Sequence, residues 1–116
     1  MSKISLQMYT VREHTKTFED LKKTFKRLSD IGFEMLQYSI PENFDAKEVK
    51  KLFDEYGMVN DSVYCQSLKV GEKMKSIIEE CELFNTKYVR VDSIPKGLTN
   101  FADGYKCYAH YLNELC

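Results

Sequence analysis

The chain has 116 residues, 43% of them hydrophobic, and 17 Lys and Arg against 18 Asp and Glu give a net charge of −1. That length fits one domain, residues 1–116, and 8 Tyr with 7 Phe are enough aromatics to build a core. No basic excess exists to neutralise a phosphate backbone, which argues against nucleic acid as a partner, and no apolar run approaches the ~20 residues of a membrane helix.

The first unit is a strand over 3–9. Ile4, Leu6 and Met8 face one way, and Ser5, Gln7 and Tyr9 the other. It ends in a polar tip, Tyr9-Thr10-Val11-Arg12. A helix follows over 17–31, with Thr17 as N-cap and Asp20 as its capping-box partner. Phe18, Leu21, Phe25, Leu28 and Ile31 form its apolar stripe. Lys22, Lys23, Lys26 and Arg27 fill the solvated face. Gly32 fits the C′ position.

The second strand is 33–38, with Ser39 to Asn43 as its tip. Asp45 and Glu48 predict a reciprocal capping box, and Val49, Leu52, Phe53 and Tyr56 a buried stripe, ending at Gly57. The third strand, 58–64, is polar for a strand, since Asn60 and Asp61 are poor strand formers. Its tip is 65–69. The next helix spans 72–85, with Met74, Ile77, Ile78, Cys81 and Phe84 inward. The fourth strand is 87–92, with Ser93 to Gly97 as its tip. A last helix covers 103–115, with Tyr105, Tyr108, Leu112 and Leu115 in one stripe.

The strand starts recur roughly every 28 residues. Strands alternating with helices in this way predict an α/β fold of four parallel βα units with right-handed crossovers. Four such units suit either an open doubly wound sheet or half of a TIM (β/α)8 barrel.

In repeated βα folds, ligands bind where the strands end. The polar candidates there are Tyr9, Arg12, Gln37, Ser39, Tyr64 and Asp92. Arg12 could hold a phosphate or carboxylate through its fork, or pair with Glu13. Gln37 could orient a hydroxyl or satisfy a backbone group. Asp92 could bind a metal or cap the following turn. His14 and His110 are expected at the surface. Cys65, Cys81, Cys107 and Cys116 are far apart and form no C-x-x-C pair, which argues against a zinc site. Cys81 and Cys107 read as small core residues. Reduced thiols and the lack of an N-terminal h-region fit a cytoplasmic protein.

Ile4-Ser5-Leu6-Gln7-Met8-Tyr9-Thr10-Val11-Arg12 resembles the Ile-Gly-Leu-Gln-Leu-Tyr-Ser-Val-Arg opening of the xylose isomerase-like sugar phosphate isomerases/epimerases. Asp30 to Ser39 is similar to that family's second strand, and Leu52 to Met58 to the end of its second helix. Thr86-Lys87-Tyr88-Val89 with Ser93-Ile94-Pro95 resembles its fourth strand and turn. Gly104-Tyr105 and Leu112-Asn113-Glu114 resemble the helix beyond. The resemblance covers essentially the whole chain. It implies a TIM barrel in which a divalent metal (Mn, Mg, Co or Zn) assists proton transfer between neighbouring carbons of a sugar, sugar phosphate or polyol.

The chain departs from the family in two ways. Such barrels run to roughly 250 residues, and this chain covers the first four units. The family's metal ligands and catalytic glutamates come mainly from later strands, so none carries over. Tyr64 also stands where relatives commonly have a His. The resemblance therefore implies a half-barrel that is catalytically incomplete by itself. Half a barrel would expose an apolar inner face and two bare strand edges. A homodimer in which the fourth strand of each copy pairs with the first strand of the other would cover both.

Overall fold

Local signals set the two best-defined helices of the computed structural model, which describes residues 4–66, 69–98 and 102–115. Lys3, Ser67, Leu68 and Cys116, which figured in the sequence expectations, lie outside the described residues. Helix α1 (Phe18–Ile31) starts where the Thr17 hydroxyl accepts the Asp20 N–H. It stops at Gly32, whose φ of 107° is a left-handed conformation suited to glycine. Helix α2 (Ala46–Glu55) starts at Asp45, whose carboxylate accepts the Lys47 N–H at 2.8 Å. The expected reciprocal box does not form as written: the Glu48 carboxylate is taken by Lys51 at 2.7 Å.

Strand β1 (Ser5–Gln7) is shorter than expected, because Met8–His14 winds into 3-10 turns bent at Val11. Strand β2 (Met35–Gln37) pairs in parallel with β1, Leu6 opposite Leu36. The third expected strand is two strands. Val59–Asn60 (β3) pairs in parallel with β2, and Val63–Cys65 (β4) pairs in parallel with β5 (Val89–Val91). The break falls at Asp61-Ser62. Asn60 is 1% exposed and turns its side-chain amide onto the Tyr38 backbone. Its Oδ1 accepts the Tyr38 N–H at 3.0 Å, and its Nδ2 donates to the Tyr38 carbonyl at 3.2 Å. A side chain thus takes the place of a ladder rung, and the backbone is free to turn. Asp61 stitches the break: Ser5 and Ser62 donate to its carboxylate, and Thr86 to its carbonyl.

One face of the strands is covered. Leu36, Tyr38 and Met58 pack with Leu21, Phe25 and Leu28 of α1 and Val49, Leu52 and Phe53 of α2. Phe25–Phe53 and Phe53–Phe84 meet edge to face at 5.0 and 5.4 Å. Helix α3 (Met74–Phe84) reaches both this core and a smaller one of Val63, Cys65, Val70 and Ile77. Helix α4 (Gly104–Leu115) closes the smaller core with Leu112 and Leu115. No helix among the described residues is long and apolar enough to cross a membrane.

Several expected core positions lie outside. Ile31 is 71% exposed, Ile78 50% and Tyr105 62%. Cys107 is exposed, and among the described cysteines Cys65 is the buried one. His14 and His110 are exposed, as expected; His110 faces Glu114 on α4. The uncovered strand face is not the apolar surface anticipated for an open half-barrel. Strand alternation gives it Ser5, Gln7, Gln37, Tyr64 and Arg90 beside Met35 and Val59.

Tyr38 carries a buried hydroxyl with no hydrogen-bond partner among the described residues. Burial raises its pKa from 10.0 to about 12. Tyr38→Phe is expected to be neutral or stabilising by up to about 1 kcal/mol, because it removes an unsatisfied polar group. In the wild type, folding favours the neutral phenol. That contribution is complete below pH 10 and is lost as pH rises toward 12. Urea titrations at pH 8 to 11 check both points. The Phe variant should lack the part of the alkaline loss that Tyr38 causes.

Candidate functional site

The C-terminal ends of β1, β2, β4 and β5 surround a cleft of about 490 Å3. Tyr9, Arg12, Gln37, Ser39, Tyr64 and Asp92, the six candidates read from the sequence, all line it. They come from four separate stretches, and only the parallel strand order brings them together. Gln7, Thr15 and Arg90 line the same cleft and were missed.

The 3-10 turns after β1 place Tyr9 and Arg12. The Arg12 guanidinium donates to the Tyr9 carbonyl at 3.0 Å and lies 4.2 Å over the Tyr9 ring. The alternative partner, Glu13, pairs with Lys16 at 2.6 Å instead. Gln37 ends β2 and lines the cleft. Two residues on, Ser39 Oγ accepts from Arg90 at 2.8 Å. Arg90 lies opposite Tyr64 in the β4–β5 ladder, its guanidinium 5.1 Å from the Tyr64 ring. The Tyr64 hydroxyl donates to Asp92 at 3.1 Å. Burial first, and then this bond, hold the Tyr64 pKa above its usual value.

Chemically the cleft is a hydrogen-bonding and charge-receiving surface. It offers hydroxyls from Tyr9, Thr15, Ser39 and Tyr64, amides from Gln7 and Gln37, and two guanidiniums. Among the described residues Asp92 is the one carboxylate lining it. Among the described residues no three His, Cys, Asp or Glu side chains gather as a metal-binding group. A single carboxylate already receiving a phenol, in a cleft with two cations, does not fit a divalent metal ion. A second cleft of about 540 Å3 shares Ser39, Pro41 and Tyr64 and extends to Lys73 and Glu80 on the α3 side. Burial pushes the Glu80 carboxyl above its usual range.

The architecture is a mixed α/β fold of parallel strands, consistent with part of a TIM barrel, and two solved structures share it. The chain aligns with the probable 3-DHS dehydratase AsbF, involved in petrobactin synthesis, from Bacillus anthracis. The TM-score is 0.68 at 17% identity, over 99% of this chain and 47% of that one. It aligns with a sugar phosphate isomerase/epimerase from Parabacteroides distasonis at a TM-score of 0.62 and 18% identity, over 81% of this chain and 40% of that one. At these identities the likeness is one of fold. The chain spans less than half the length of either structure. No family model matches the chain, and no curated protein matches it.

Proposed function

We propose that the chain is a half-barrel of four βα units from a sugar phosphate isomerase/epimerase-like protein, and that it binds a sugar, sugar phosphate or polyol at its strand ends. One observation carries this reading: the six polar residues expected at four separate strand ends converge, with Gln7, Thr15 and Arg90, on one cleft of about 490 Å3. That is where βα folds bind small molecules. Completed by another half, the barrel would catalyse metal-assisted proton transfer on the sugar. The described residues of this chain's cleft do not by themselves make up a metal donor set. A second reading, a binding module without catalysis, is supported by Asp92 being the one carboxylate among the described residues that lines the cleft.

Calorimetric titration with ribose and ribose 5-phosphate tests the binding. Arg12→Ala should weaken ribose 5-phosphate by about tenfold, because a charged hydrogen bond is lost. Binding that is unchanged by Arg12→Ala and absent from the amide shifts of Gln37 and Ser39 would remove the site. Epimerase turnover with added metal separates the two readings.

Completion by a second copy is the proposed assembly. Among the described residues β1 pairs with β2 alone and β5 with β4 alone, so each has an open edge. Pairing β5 of one copy with β1 of the other, twice, would close the ring. Light scattering should then give twice the chain mass of 13.6 kDa. A mass of one chain would rule the pairing out.

A further inference from the structure

We infer that Arg90 selects the ligand's charge: its guanidinium fork receives an oxyanion, carboxylate or phosphate, in the strand-end cleft. This rests on the reading of that cleft as the ligand site and names the chemistry it prefers.

Arg90 is half-buried on the uncovered face of β5, and it is positioned by its neighbours rather than loose in solvent. Ser39 Oγ accepts from Nη2 at 2.8 Å, and the Tyr64 ring lies 5.1 Å from the guanidinium carbon. These contacts orient the fork, but both are neutral. The Nε atom is buried and has no acceptor among the described residues. No carboxylate forms an ion pair with Arg90 among the described residues. Some lysines do have such partners: Lys16, Lys22, Lys26, Lys50, Lys51 and Lys73 pair with Asp or Glu at 2.6 to 3.3 Å. Asp92, the cleft's carboxylate, receives the Tyr64 hydroxyl. Arg12 and Arg90 against Asp92 leave the lining at +1, in a chain whose net charge is −1.

A half-buried cation whose direct contacts are a neutral hydroxyl and a ring is costly, and a fork held in place by them is prepared for a planar or tetrahedral oxyanion. Lysine would not serve equally, since it presents a point charge without a fork.

The test uses the whole chain, with titrations of ribose 5-phosphate, gluconate and neutral ribose, followed by calorimetry and by the amide shifts of Ser39 and Tyr64. The wild type should bind at least one of the two anions more tightly than ribose. Arg90→Gln should weaken that anion by about tenfold or more and leave ribose unchanged. Loss confined to ribose 5-phosphate assigns a phosphate, and loss confined to gluconate a carboxylate. Arg27→Gln, on the solvated face of α1, should change neither. Where Arg90→Gln fails to fold, Arg90→Lys decides, and undiminished anion affinity in that variant overturns the fork. An Arg90→Gln protein that keeps the full anion preference also overturns the assignment, while ribose binding at the cleft leaves the site itself standing. A wild type that binds ribose and both anions equally overturns the charge selection alone. A wild type that binds none of the three removes the site and the assignment together.

Discussion

Replacing Phe53 by alanine will lower the unfolding free energy by about 4 kcal/mol. Phe53 is fully buried and touches aromatic rings on two sides, Phe25 of α1 and Phe84 of α3, at 5.0 and 5.4 Å. It joins side chains of α1, α2 and α3 in one interior. Alanine removes the transfer free energy of the ring, the two edge-to-face contacts and the support of both neighbours. Domains of this size are stable by about 5–15 kcal/mol, so the loss takes much of the total. Phe53→Leu keeps most of the volume and should cost about 1.5 kcal/mol. Urea unfolding of both variants checks the order. A loss below about 1 kcal/mol for the alanine variant would mean that the ring does not hold the three helices together.

The second large effect is expected at Asn60. Asn60→Ala strips the Tyr38 backbone of its buried acceptor and its buried donor at once. Each orphaned group costs about 1–3 kcal/mol, so about 3 kcal/mol is expected in all. The cost is tied to geometry rather than size. Asn60→Asp has the same shape, but its carboxylate accepts from the Tyr38 N–H and repels the Tyr38 carbonyl. Burial would raise the pKa of the introduced carboxyl above the usual aspartate value of about 3.9. Its protonated form donates to the carbonyl and restores the pair. The Asn60→Asp variant should therefore gain stability as pH falls from 7 toward 4, opposite to an ordinary surface aspartate. Urea unfolding across that range reads the slope, and a flat profile would show that the amide pair is not formed.

The parts of the fold that could be read from the chain were those set by near neighbours. Thr17 with Asp20 and Gly32 mark α1 within a few residues of each end, and both ends stand. The positions at the strand ends were legible too, because the order of parallel strands brings the segments that follow them to one side, although 3-10 turns rather than strand alternation place Tyr9 and Arg12. The division of the third strand was not legible. It depends on Asn60 meeting Tyr38 from another strand, a partner 22 positions away. Poor strand formers are visible there, but not the rung that replaces them. Arg90 was hidden for a related reason. Between Val89 and Val91 it looks like the solvent-side residue of a half-buried strand. Its meaning comes from Ser39, a residue 51 positions away. Asp92, on the same strand face two residues on, was the available hint.

The divided strand also bears on how the protein opens. The larger core lies under β1, β2 and β3, and the smaller one under β4 and β5. With few buried residues, the second part should exchange its amide hydrogens sooner, in an opening that leaves the first part intact. The cleft is built across this seam: Gln37 and Ser39 belong to one side, and Tyr64, Arg90 and Asp92 to the other. Any molecule held there spans both parts and slows the opening of the weaker one. Protection of the Val89–Val91 amides would then report occupancy of the cleft from a segment that only partly lines it.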